Sequence, residues 1–214
     1  MQFDTCHSVN QPLDIQFAHN IRLFIKREDL LHPQISGNKF RKLKYNLMAA
    51  RKAGYQTLIT FGGAYSNHIA AVAAAGHAFG FRTIGIIRGE ELADKINGNS
   101  TLSLAQQHGM QFKFIRRSDY RLKTTFQFIQ QLKHEFGEFY LIPEGGTNHL
   151  AVQGCREILT EHDKQQFDYV CCAVGTGGTI AGIIESSLDQ QTILGFPALK
   201  GDFLQAEIEQ WTQK

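Results

Sequence analysis

The stretch Thr57-Leu58-Ile59-Thr60-Phe61, followed by Gly62-Gly63-Ala64-Tyr65-Ser66-Asn67-His68 and an alanine-rich run to Phe79, decides the fold class of this 214-residue chain. Its first five residues form a short continuous run rich in β-branched and aromatic side chains, as in a strand buried on both faces. Glycines end the run, and Asn67 to Phe79 then reads as a helix. The same alternation repeats downstream. Thr83 to Ile87 reads as a strand, Thr101 to His108 as a helix and Gln111 to Ile115 as a third strand. Lys123 to Phe136 carries Phe126, Ile129 and Leu132 at helical spacing, and Phe139 to Ile142 is a fourth strand. Strands alternating with helices predict parallel βαβ units with helices on both faces of a sheet.

Upstream, Ile21 to Lys26 alternates as an edge strand does, and Phe40, Leu43, Leu47 and Ala50 place an apolar stripe on a helix that Gly54 ends. Downstream, Tyr169 to Val174 predicts a strand, Ile180 to Leu188 a helix, Thr192 to Phe196 a strand, and Ala206 to Lys214 a polar, helix-like segment. The expected architecture is α/β, with two lobes of three αβα layers and parallel sheets. Residues 41–146 form a small inserted lobe in this reading, and residues 1–40 plus 147–214 form a larger one. The sheet begun by the Tyr169 and Thr192 strands has few partners before Lys214, so the C-terminal part of the larger lobe is expected to be missing.

Composition narrows the function. Hydrophobic residues make up 43%, charged residues 20%, and the formal net charge is +2, which gives no electrostatic basis for binding nucleic acid or an anionic membrane. The first residues lack the basic and apolar regions of a signal peptide, and no apolar run reaches the ~18 residues that span a bilayer. A cytoplasmic protein is expected. Cys171 and Cys172 are adjacent and point to opposite faces of a strand, while Cys6 and Cys155 are far apart and lack metal-ligand spacing. The four cysteines therefore read as small buried hydrophobes in a reducing compartment, with no disulfide framework and no metal.

In open parallel sheets, ligands bind beyond the carboxyl ends of the strands. Three loops fall there. Gly175-Thr176-Gly177-Gly178-Thr179 precedes a helix, so its backbone N–H groups and the helix dipole suit a phosphate. Ile180 stands where the dinucleotide fingerprint needs its third glycine, and no Gly-Lys-Ser/Thr is present, so a cofactor or mononucleotide phosphate is favoured over a dinucleotide; a merely tight turn is the alternative. Ser66 and Asn67 either cap the following helix or hydrogen-bond a ligand over the sheet. Gly145-Gly146-Thr147-Asn148 suits close approach of backbone to ligand, or an ordinary turn. Lys39, after Ser36-Gly37-Asn38, opens a helix beside Arg41 and Lys42. The helix dipole and like charge both favour its neutral amine, the form that attacks an aldehyde. A solvated surface lysine is the alternative.

Lys26-Arg27-Glu28-Asp29 with Gly37-Asn38-Lys39-Phe40-Arg41-Lys42-Leu43, Tyr65-Ser66-Asn67-His68, Gly98-Asn99, Pro143 to Asn148 and Gly175 to Gly182 occur in the order found in one family. From about Gln11 to Pro197 the chain resembles the D-cysteine desulfhydrase and 1-aminocyclopropane-1-carboxylate deaminase family of pyridoxal-phosphate enzymes (fold type II, tryptophan synthase β-like). The resemblance implies that Lys39 holds pyridoxal 5'-phosphate and moves the substrate α-proton, and that Asn67 bonds the cofactor's phenolic oxygen. It further implies that Gly175, Thr176, Gly177, Gly178 and Thr179 cradle the phosphate and that Ser66 contacts the substrate or shares in its proton transfers. The implied reaction is a lyase or deaminase reaction on a small amino acid, by a homodimer. His68 is nearer the desulfhydrase pattern, since the deaminases have Gln there. The residues that meet the pyridine nitrogen and distinguish the branches lie further along in family members and have no counterpart before Lys214. A truncated cofactor-binding relative without turnover is the alternative from another class, and a nucleotide-binding α/β protein is the third.

Overall fold

The computed structural model describes residues 1–35, 37–198 and 203–212. Ser36 of the expected helix entry, and residues 213–214 of the C-terminal segment, lie outside them. A short antiparallel pair, β1 (Asn10–Pro12) and β2 (Phe24–Lys26), leads into α1 (Asn38–Lys52). Then follow β3 (Thr57–Gly63), α2 (Asn67–Phe79), β4 (Arg82–Arg88), α3 (Ser100–Gln107), β5 (Gln111–Ile115), α4 (Arg117–Tyr120), α5 (Phe126–Phe136) and β6 (Tyr140–Ile142). The chain continues through α6 (His149–Cys155), α7 (Glu161–Gln166), β7 (Tyr169–Val174), α8 (Gly178–Ser186), β8 (Thr192–Pro197) and α9 (Phe203–Glu209).

β3 to β6 form one parallel sheet in the order β5-β4-β3-β6, with Thr57 opposite Arg82 and Leu58 opposite Tyr140. Period-2 alternation sends Leu58 and Ile87 to a core shared with α1, α2 and α3. Ile59, Phe61, Ile84 and Ile86 go to the opposite core with Tyr120 and Leu132. Both faces are covered, which is why these strands read as unbroken apolar runs. The run Ala71 to Ala75 in α2 is buried throughout, so alanine there lets a helix fit between the sheet and its neighbours. Ser66 caps this helix and Gly80, at φ +70°, ends it in the left-handed region.

The stripe Phe40, Leu43, Leu47 and Ala50 on α1 is fully inside. The next helix contact is tighter. A Cβ on Gly154 would stand 2.0 Å from the Arg41 carbonyl oxygen, and one on Gly182 would stand 2.4 Å from Cys155 Cβ. Bare Cα atoms at these two positions let α6 pack closely against α1 on one side and α8 on the other.

β7 and β8 form a second, two-stranded parallel sheet among the described residues, in register from Tyr169–Thr192 to Val174–Pro197. α8 covers one face of it, where Val170, Cys172 and Ile193 pack. On the other face Tyr169, Leu194 and Phe196 are exposed.

Four expectations are corrected. Ile21 to Leu23 precede β2 without joining it. Residues 123–125 form a turn rather than helix, because Thr125 caps α5; Phe126 therefore sits in the first turn, 73% exposed, while Leu132 faces the core. The helix expected over Ala206 to Lys214 is α9, which begins at Phe203 and ends at Glu209. Only Cys155 is a buried cysteine; Cys6 and Cys171 are exposed and Cys172 is half-buried. No helix among the described residues is long and apolar enough to cross a membrane.

Candidate active site

The first turn of α1 meets the turn between β7 and α8. Lys39 and Lys42 are three residues apart, hence on one helix face, and that face lines a cleft with Val174, Gly175, Thr176, Gly177 and Thr179. Gly177 adopts φ +76°, a left-handed conformation that turns the chain into α8. Lys39 Nζ donates to Asn38 Oδ1 at 3.1 Å, and Asn38 Nδ2 donates to Thr179 Oγ1 at 2.7 Å. Lys39 thus lies against the turn, partly buried, and does not face bulk water.

Lys42 is deeper, at 2% exposure. Its Nζ donates to Gly145 O at 3.1 Å, Thr147 Oγ1 at 2.9 Å and Thr176 Oγ1 at 3.2 Å. Thr147 and Thr176 hydroxyls are themselves 2.6 Å apart. One ammonium therefore ties α1, the Gly145–Asn148 loop and the glycine turn together. From sequence, Lys42 stands as a source of like charge and as part of the Gly37–Leu43 motif, with no site role; its spacing from Lys39 on a buried helix face is the signal that marks it.

The charges are informative. Burial pushes the Lys39 ammonium below its ordinary range, and burial with the nearby Lys39 charge brings Lys42 down to about 8. Both shifts favour the neutral amine, although for Lys39 burial is the main cause rather than the neighbouring charges expected from sequence. Arg41 is turned elsewhere: its guanidinium makes two bonds to Glu28, at 2.8 and 2.9 Å, and is 3.7 Å from Glu157. The contacts of Lys39 and Lys42 are amide, carbonyl and hydroxyl oxygens, with no carboxylate among the described residues. Two amines and a helix N-terminus without a counter-anion fit a phosphate.

The third loop arrives through His68. Thr60 Oγ1 donates to Ile142 O at 2.9 Å, so His68 Nε2, at 2.8 Å from Thr60 Oγ1, is the donor of that pair and Nδ1 carries the lone pair. Nδ1 is buried without a hydrogen-bond partner, and burial, with the Lys39 and Lys42 charges behind it, holds the ring neutral with a pKa of about 3. The ring lies against Gly146, where a Cβ would come within 2.9 Å of Cε1. In turn a Cβ on Gly145 would meet Thr176 at 2.6 Å. The Gly62–His68, Gly145–Asn148 and Gly175–Thr179 loops are thereby packed in series.

Lys39 and the glycine turn come together as expected. Gly178 is set by close packing, since a Cβ there would meet Thr147 Cγ2 at 2.7 Å and Lys42 Nζ at 3.3 Å. Ser66 is the N-cap of α2, its Oγ accepting from the Ile69 N–H at 3.4 Å. Asn67 is the first residue of that helix and is exposed. Neither lines the Lys39 cleft. Asn148 also caps: its Oδ1 accepts from the Ala151 N–H at 2.9 Å, and its side chain pairs with buried Asn46.

A parallel α/β sheet with two lysines set against a glycine turn is the fold of the tryptophan synthase β-like pyridoxal-phosphate proteins. Residues 11–194 match the family described as "Pyridoxal-phosphate dependent enzyme", and the chain belongs to that family. It is 35% identical over 186 residues to the "Putative 1-aminocyclopropane-1-carboxylate deaminase" of Thermotoga maritima, covering 81% of this chain and 58% of that protein. It is 34% identical over 175 residues to the "Bifunctional D-cysteine desulfhydrase/1-aminocyclopropane-1-carboxylate deaminase, mitochondrial" of Arabidopsis thaliana, covering 75% of this chain and 44% of that one. A crystal structure of an ACC deaminase homologue superposes with a TM-score of 0.79 at 26% identity, over 98% of this chain and 66% of the other. The chain thus spans roughly half the length of these two curated relatives.

Proposed function

We propose that this chain is the cofactor-binding part of a pyridoxal-phosphate lyase or deaminase acting on a small amino acid. The reaction is either D-cysteine desulfhydrase-like α,β-elimination or 1-aminocyclopropane-1-carboxylate deamination. The observation that carries the reading is the shared cleft of Lys39 and the Gly175–Thr179 turn, with Lys42 buried beneath it and lacking a carboxylate partner.

Bound there, pyridoxal 5'-phosphate supplies an electron sink for charge developing at the substrate α-carbon. Gly175, Thr176, Gly177, Gly178 and Thr179 would hold its phosphate through backbone N–H groups and the α8 dipole, and Lys42 would add a positive charge. Lys39, whose ammonium is destabilised by burial, would bind the aldehyde through Nζ and move the α-proton of the substrate. By family resemblance Asn67 would hold the phenolic side and Ser66 would contact the substrate and share in its proton transfers, while in this structure Asn67 is exposed and neither residue lines the Lys39 cleft. In the free protein the Ser66 hydroxyl is engaged in capping α2, at 3.4 Å, a long bond that a substrate group competes with readily. Residues 41–146 form the smaller lobe in this proposal, and residues 1–40 with 147–214 form the larger, cofactor-binding one. The protein works as a homodimer in the cytoplasm.

Purified protein mixed with pyridoxal phosphate is expected to turn yellow and keep its colour through dialysis, and Lys39→Ala is expected to lose it. Ammonia and sulfide from D-cysteine, or ammonia from aminocyclopropane carboxylate, identify the branch. A colourless wild type overturns the reading. A coloured protein that turns over neither substrate leaves the cofactor site standing and removes these two activities.

A further inference from the structure

Away from the cleft, the segment before β1 gathers three side chains that sequence spacing between cysteines overlooks. Asp4, Cys6 and His7 offer a carboxylate oxygen, a thiol sulfur and an imidazole nitrogen, all within 4.8 Å of one another and all exposed. Cys6 Sγ is 3.3 Å from His7 Nδ1, and the Cys6 N–H donates to Asp4 Oδ1 at 2.9 Å, which fixes the carboxylate over the turn. In tetrahedral coordination at about 2.0–2.3 Å per ligand, ligand atoms stand roughly 3.3–3.8 Å from one another. The Cys6–His7 pair already has that separation, and the Asp4 carboxylate, held by the Cys6 N–H, lies within 4.8 Å of both.

The turn is held from both sides. Ser8 N donates to Thr5 O at 3.1 Å, and Val9 N donates to His7 O at 2.9 Å. Ser8 Oγ bonds Glu28, the partner of buried Arg41. Phe3 stacks on Phe79 at 4.9 Å between ring centroids and meets Phe40 edge-on at 5.2 Å. A three-ligand set on an anchored turn loses little freedom on binding.

We propose that Asp4, Cys6 and His7 bind one borderline-soft divalent cation of the zinc or cobalt type, with water as the fourth ligand. Thiolate and imidazole select against magnesium and calcium, which take oxygen. Coordination replaces the thiol proton of Cys6, which passes to solvent. The site is independent of the cofactor cleft. A bound ion would rigidify the turn between Phe3, which packs on Phe40 and Phe79, and Ser8, which bonds Glu28.

The test is a cobalt titration of the full chain, with cofactor present, followed in the visible region. Intense ligand-field bands of tetrahedral cobalt are expected, saturating at one ion per chain and bleached by one equivalent of zinc. Cys6→Ser is expected to abolish them, and His7→Ala to raise the dissociation constant at least about tenfold. Cys171→Ser, at the other exposed cysteine, is expected to leave them unchanged. All three residues replaced are exposed, so the variants keep the fold. No tetrahedral bands in the wild type, or bands that survive Cys6→Ser, would overturn the proposal.

Discussion

Lys42 Nζ stands 3.2 Å from Thr176 Oγ1 across 134 residues of sequence, joining the buried face of α1 to the turn that opens α8. Its other partners are Gly145 O and Thr147 Oγ1, so the ammonium is hydrogen-bonded but not neutralised. A buried charge in this condition is stabilised when an anion arrives.

Replacing Lys42 by Met keeps the side-chain length and removes that charge. Lys42→Met is expected to weaken binding of pyridoxal phosphate by about tenfold or more, which is about 1.4 kcal/mol. Lys39→Ala, by contrast, removes the covalent chromophore. Absorbance titrations of both variants separate the two roles, and an unchanged dissociation constant for Lys42→Met would show that the phosphate does not feel this charge.

The Glu28–Arg41 pair is a different use of charge. Arg41 is buried and its two short bonds to Glu28 are the main compensation for its charge. Glu28→Ala is expected to cost about 3–5 kcal/mol, as breaking a buried pair from one side does. Urea unfolding measures it, and a loss below about 1 kcal/mol would place Arg41 effectively in solvent.

These contacts show how far sequence reading reaches. β5, β7 and α2 have the bounds their periodicity predicts, because local pattern and tertiary role agree. The short helices α4, α6 and α7 escape it: each has under two turns, and caps rather than periodicity define α6, through Asn148, and α7, through the Thr160–Asp163 capping box. In the site, Lys39 and the glycine turn are legible because their residue types are unusual. Lys42, Asn38 and Thr147 are not, since their importance lies in pairings across 105 to 141 residues that no local pattern encodes.

His68 gives a pH signature. Its native pKa is about 3, against the ordinary 6.5. Between those values the unfolded chain binds a proton that the native protein refuses. The stability tied to neutral His68 is therefore complete above pH 6.5 and is lost as pH falls toward 3. Unfolding free energies at pH 7 and pH 5 are expected to fall more steeply in wild type than in His68→Gln, by up to about 1.4 kcal/mol per pH unit. Parallel slopes would mean that the ring protonates in place.

Gly154 is a steric test. An added Cβ would lie 2.0 Å from the Arg41 carbonyl oxygen and 2.9 Å from its carbon, both backbone atoms. Gly154→Ala is expected to cost about 3 kcal/mol or more, or to block folding. Gly98→Ala, where the space is open, is expected to stay within about 0.5 kcal/mol of wild type. Equal thermal midpoints for the two variants would mean that α1 and α6 separate at no cost.

The paired amines of Lys39 and Lys42 also govern how the apoprotein behaves at the bench. A preformed cationic hollow does not wait for its own ligand: sulfate or inorganic phosphate in a storage buffer competes for the same donors. Affinities for the vitamin-derived cofactor measured in such buffers come out too weak, and melting temperatures of the cofactor-free protein come out too high. Samples buffered without phosphate, sulfate or primary amines, which would themselves condense with the aldehyde, are expected to give the intrinsic values.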